Sequence, residues 1–134
     1  MYKHDVLIIG GGLAGLRAAV EVTRAGGDVA VISKVHPVRS HSNAAQGGIN
    51  APLTDRGDDW EGHAYDTIKG SDFLADQDAV EVMSVEAGDA VLELERMGVI
   101  FSRGDDGKLC TRRLGGQKIA RTFFVVAITG SAIL

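Results

Sequence analysis

The chain has 134 residues, with 14 lysines and arginines against 18 carboxylates, a net charge of −4. That balance, with only 5% aromatic residues, excludes nucleic-acid or anionic-membrane binding driven by charge or base stacking. A single cysteine, Cys110, excludes an internal disulfide and a self-contained iron–sulfur site, and reads as a buried or inert thiol.

The predicted strand "HDVLIIG" opens the chain as a short apolar run, expected to be buried. "LAGLRAAVEVTRAG" follows as a helix, with Leu13, Leu16, Ala19, Val20 and Ala25 at roughly helical spacing and Gly26-Gly27 to end it. "DVAVIS" is a second buried strand. A βαβ unit of this kind calls for a parallel sheet. Residues 34–56 read as a long loop, functional or disordered, with at most a short helix near Ala44. A helix is expected from Asp58 or Asp59. Another covers "QDAVEVMSVEAGDAVLELERMG", with Gly88 a possible break and Gly98 its C-terminal stop. "VIFSRGDDGKLCTRRL" reads as a hairpin turning at Asp106-Gly107. No run reaches the ~18 apolar residues of a membrane span. No linker or repeat marks a domain boundary, and the length suffices for one domain with a core.

Gly10-Gly11-Gly12-Leu13-Ala14-Gly15 supplies G-x-G-x-x-G between the first strand and helix, the context in which that motif binds a dinucleotide. The helix N-terminus offers free N–H groups and a positive field to the phosphates. The acidic residue that usually grips the ribose about 20 positions later is missing. Ser33 and Lys34 stand at the end of the second strand instead. This weakens a plain NAD reading and leaves FAD open.

The loop "VRSHSNAAQGGINA" (38–51) gathers Arg39, Ser40, His41, Ser42, Asn43 and Gln46 around Ala45 and the pair Gly47-Gly48. Such a stretch offers hydrogen-bond donors and lets backbone approach a flat or anionic ligand. His36, His41 and His63 lack ligand spacing for a metal, and no serine elbow for a hydrolase is present.

These segments, with "DDWEGHAYDTIKGSDFLADQDAVEVM" and "LERMGVIFSR", resemble the flavoprotein subunit of succinate dehydrogenase and fumarate reductase along nearly the whole chain. The resemblance implies an α/β, Rossmann-like FAD-binding domain with a parallel sheet, of which residues 1–134 are the incomplete N-terminal portion. By the same resemblance, the capping and C-terminal domains would lie outside these residues. It implies FAD as cofactor, bonded covalently at its 8α carbon to His41 in a full-length member. That bond raises the flavin potential so that it can accept a hydride from succinate. Ser40, Ser42, Ala45, Gln46, Gly47 and Gly48 would surround the isoalloxazine.

Iron–sulfur and membrane-anchor subunits would be the partners and a dicarboxylate the substrate, with no nucleic acid and no resident metal. The substrate-handling and proton-transfer residues would lie beyond Leu134, so no catalytic residue is assigned and the chain alone should be inactive. A start within a few residues of Met1 suggests a prokaryotic protein peripheral to the cytoplasmic face of the membrane. The alternatives are a non-catalytic FAD or ADP module and a noncovalent flavin oxidase of the L-aspartate oxidase type. The family reads "RT-C-Y-x-A-D-x-T-G-H" near the end, where this chain has Arg121-Thr122, "FFVVAI" and Thr129-Gly130-Ser131. Ala127 replaces an acid and Ser131 a histidine, and the apolar tail is expected to lack a cover.

Overall fold

A computed structural model describes residues 2–126 and 128–134, which leaves Met1 and the substitution at Ala127 outside the described residues. The chain divides into two compact units. One holds residues up to 46 together with 128–134, and the other holds residues from 47 to 126. The division runs between Gln46 and Gly47, inside a loop that no change of composition marks.

The first unit is built as its pattern predicts. Strand β1 (Val6–Ile9) pairs in parallel with β2 (Val29–Ile32), from Val6 opposite Val29 to Ile9 opposite Ile32. Helix α1 (Leu13–Arg24) connects them and packs on both. It stops where Ala25 and Gly26 turn back, with Gly26 at φ +82°. The strand starts are tied by His4 to Asp28 at 2.9 Å and by the Asp28 N–H to Asp5 at 2.9 Å.

The expectation that both strands are buried is overturned. Leu7 is 58% exposed, Ile9 82% and Ile32 50%. A parallel sheet is normally sealed by helices on both faces. Here the two strands pair with each other and a single helix crosses between them, so the apolar run is made but not covered. Helix α4 (Thr129–Ile133) completes this unit, with Thr129 and Gly130 buried.

The second unit contains the core. Strands β3 (Ile49–Asn50), β4 (Thr111–Arg112) and β5 (Thr122–Phe123) form an antiparallel sheet in the order β3-β5-β4. Helices α2 (Trp60–Gly70) and α3 (Gln77–Arg96) pack against each other. Asp59 and Asp76 cap them by accepting from the N–H groups of Gly62 and Ala79, satisfying donors that have no partner inside the helix. Helix α3 runs through Gly88 without a break and ends before Gly98, at φ +108°.

The expected hairpin appears as one antiparallel bridge, Arg103 to Leu109, closed by the Gly104 and Lys108 backbones. Cys110 is half-buried. Val91, Phe101, Leu109 and Phe123 form the buried centre, with the Phe101 and Phe123 rings edge to face. Phe123 is fully buried, which corrects the expectation of an uncovered tail at this position: as the central strand, β5 is flanked on both edges. Val126, 88% exposed, and Ile128, 38%, do lack a cover.

A nucleotide groove at the ends of the parallel strands

The first unit holds a groove of about 500 Å³ where β1 and β2 run out. Gly10, Gly11 and Gly12 form one wall and Ser33, Lys34 and Val35 another. Ser40 and His41 close it. Ligands bind beyond the carboxyl ends of parallel strands because loops diverge there and helix N-termini point in.

The glycine spacing has a steric cause. A Cβ on Gly15 would lie 1.9 Å from the Gly10 carbonyl oxygen, so only glycine lets the first helical turn sit on the strand end. A Cβ on Gly11 would come within 3.1 Å of Ser33, and one on Gly12 within 3.2 Å of Ser42 Oγ. The wall is therefore bare backbone that a phosphate can approach closely. The Leu13 N–H, the first of α1, donates to Ser42 Oγ at 3.1 Å. Ala14 follows it, exposed, on the first turn.

Residues 40–45 form a coiled turn. The N–H groups of Asn43, Ala44 and Ala45 donate to the carbonyls of Ser40, His41 and Ser42 at 3.1, 3.1 and 3.3 Å. His41 is exposed at the groove, whereas Ser40 Oγ is buried without a hydrogen-bond partner. A buried hydroxyl left orphaned is costly. At the wall of a bare-backbone groove it fits a cofactor bearing hydrogen-bonding groups. Arg39 is exposed in a 3-10 turn, Pro37–Arg39, and is absent from the groove lining. Gln46 is exposed at the edge of the unit.

Gly47 and Gly48 belong to the second unit. The Gly47 carbonyl accepts from Arg112 Nε and Nη2 at 3.2 and 2.6 Å, and the Arg112 guanidinium also stacks on the Phe124 ring. Gly48 has φ +113°, and a Cβ there would lie 2.2 Å from the Phe123 carbonyl oxygen. Its lack of a side chain is thus explained by packing on β5, without any ligand.

The sequence reasoning missed a second constellation, in unit two. Arg121, 2% exposed, holds Asp58 through a two-pronged pair, Nε to Oδ2 at 2.8 Å and Nη2 to Oδ1 at 2.9 Å, and Asp66 at 2.7 Å. Beside it His63 is buried, with Nδ1 unpartnered. Burial first, and the Arg121 charge second, push the His63 pKa below the ordinary imidazole value, against Asp58 and Asp66. For Asp66 burial alone would raise the carboxyl, but the Lys118 N–H and the Arg121 guanidinium outweigh it and lower it. The adjacent pair Asp58-Asp59 carried the signal: one caps the helix, so the other was free to bury. Among the described residues no cluster of His, Cys, Asp or Glu could hold a metal ion.

A parallel βαβ unit with a bare-glycine groove at its strand ends defines an α/β dinucleotide-binding fold. Matching along residues 5–134, the chain belongs to the FAD binding domain family. It is similar to the succinate dehydrogenase flavoprotein subunit of Rickettsia bellii, 50% identical over 99% of this chain and 24% of that protein. It is also similar to the fumarate reductase flavoprotein subunit of Mycobacterium tuberculosis, 44% identical over 98% and 23%. The solved E. coli quinol fumarate reductase superposes with a TM-score of 0.92 at 41% identity, covering 98% of this chain and 23% of that one. The chain thus spans about a quarter of the length of the relatives it matches. No described helix is long and apolar enough to cross a membrane.

Proposed function

We propose that the chain is the N-terminal part of the FAD-binding domain of a succinate dehydrogenase or fumarate reductase flavoprotein subunit, and that His41 is the covalent attachment point for FAD. The observation that carries this reading is the groove, where the G-x-G-x-x-G wall and the exposed His41 face the same 500 Å³ space. The residues fit the cofactor. Gly10, Gly12, Leu13, Ala14 and Gly15 would hold the pyrophosphate at the α1 N-terminus, and Ser33 and Lys34 the adenosine side. Ser40, Ser42, Ala45, Gln46, Gly47 and Gly48 would lie along the flavin. FAD supplies the two-electron redox chemistry. The chain's own residues bind and orient it and offer His41 to the 8α carbon.

In the longer protein, an iron–sulfur subunit and membrane anchors would take the electrons, at the cytoplasmic face of a prokaryotic membrane. Succinate or fumarate would be handled by residues of the capping and C-terminal domains. A non-catalytic FAD or ADP module is the competing reading for the chain by itself.

The test is to incubate the purified chain with FAD, remove free cofactor, then precipitate in acid. FAD is expected to stay with the native chain and to wash off after acid, because attachment in the family needs a largely complete fold. Within a full-length protein carrying this segment, yellow fluorescence should remain on the acid-denatured chain and vanish with His41→Ala. Attachment that persists in H41A would sink the assignment. Failure of the native chain to retain FAD would sink the binding claim for this segment.

A further inference from the structure

We infer that Gly130, at the start of α4, is a positioning residue for His41: it clamps the turn that presents the imidazole to the groove. The inference rests on the flavin reading of that loop. The Gly130 N–H donates to the Ala45 carbonyl at 2.8 Å. Its Cα lies flat against the turn, where an added Cβ would sit 1.8 Å from the Ser42 carbonyl oxygen and 3.0 Å from that of Asn43. On its other side the same turn is tied to α1 by the Leu13 N–H to Ser42 Oγ bond. His41 precedes Ser42, whose carbonyl faces the bare Cα of Gly130 and whose Oγ accepts from Leu13.

The absent side chain at 130 answers to this contact and to nothing local. Gly130 shows no positive φ and lies within a helix, where alanine is intrinsically the better residue. A methyl group there helps the helix and clashes with the turn. The turn cannot yield by a side-chain rotation, because the atom in the way is the Ser42 backbone oxygen. Either the turn moves as a piece, drawing Ser42 off the Leu13 N–H and turning His41 away, or the five-residue α4 lifts off and gives up its bond to Ala45; both release the turn that holds His41. Pyrophosphate binding, which uses residues 10–15, does not need the turn in place. The clamp therefore sharpens recognition of the flavin end of FAD over that of plain ADP.

The experiment compares FAD and ADP affinity, and the His41 ring signal by NMR, in the chain and in Gly130→Ala, with the exposed neighbour Ser131→Ala as control. The wild type should prefer FAD over ADP and show its His41 signal shifting only with FAD. G130A should lose about tenfold or more in FAD affinity, keep ADP within about twofold, and leave His41 unresponsive, while S131A matches the wild type. Equal loss of both ligands, or no loss of either, overturns the clamp. A wild-type His41 that ignores FAD overturns the flavin reading of the loop and the clamp with it.

Amide exchange in the ligand-free proteins adds a readout that binding cannot mask. In G130A the Ala44 and Ala45 N–H groups should lose protection while the Gly10 N–H, bonded to Ile32, keeps it. Loss at Gly10 as well would mean that the residue merely holds the unit together, and would overturn the proposal.

Discussion

Gly15 and Arg121 show two ways a single residue can be indispensable. Gly15 is defined by an atom it cannot carry, since the Gly10 carbonyl occupies the space of a Cβ. Gly15→Ala is expected to abolish FAD and ADP retention together by forcing α1 off the strand end. Trp60, the only tryptophan, lies in the second unit, so its fluorescence unfolding midpoint should stay unchanged. Arg121 is defined by what its removal would strand. Asp58 and Asp66 are buried against it at 3% and 8% side-chain exposure, and a buried carboxylate without its partner is strongly destabilising. Urea unfolding followed at Trp60 should show a loss of about 3–5 kcal/mol in Arg121→Met; a loss under about 1 kcal/mol would mean that water reaches the pair.

Among the elements, α2 makes the clearest pH prediction. His63 is the only histidine between residues 47 and 126, and its folded pKa lies below the ordinary 6.5. The unfolded chain therefore takes up a proton at higher pH than the folded one. Its contribution to stability is complete above about 6.5 and declines as pH falls below it. The Trp60-detected urea midpoint should drop between pH 7.5 and 5.5, and His63→Gln should flatten that slope.

The elements were largely legible in the sequence. The apolar runs and glycines located β1, α1 and β2, the Asp58-Asp59 pair located the start of α2, the segment from Gln77 was read as helical, and Asp106-Gly107 located the hairpin turn. The three short strands were not legible, because two residues carry no periodicity and β5 exists only through its neighbours. Of the candidate site, the glycine wall and His41 could be read locally. The close packing of Gly48 on β5 was not foreseen, and Gly130 was passed over as part of a divergent tail. In both cases the residue's meaning lies in a distant backbone oxygen that no local pattern encodes.

At the scale of the whole molecule, Leu7, Ile9, Val31 and Ile32 on the parallel sheet, and Val126 in the second unit, leave apolar surface exposed. Such surface associates. The chain should bind a hydrophobic dye and sediment above monomer mass. Leu7→Lys, away from the groove, should reduce both without changing ADP affinity. A wild-type chain that stays monomeric and dye-free at high concentration would contradict the exposure described.

The first unit is also discontinuous: residues 128–134 return to complete what residues 2–46 begin, while residues 47–126 form one uninterrupted stretch with its own core. During synthesis, at about 5–20 residues per second, the second unit can therefore close before the turn bearing His41 meets Gly130. The glycine wall of the groove is made early, and only the turn bearing His41 waits for Gly130, so a cofactor arriving before then would find its phosphate site formed and its flavin side still open.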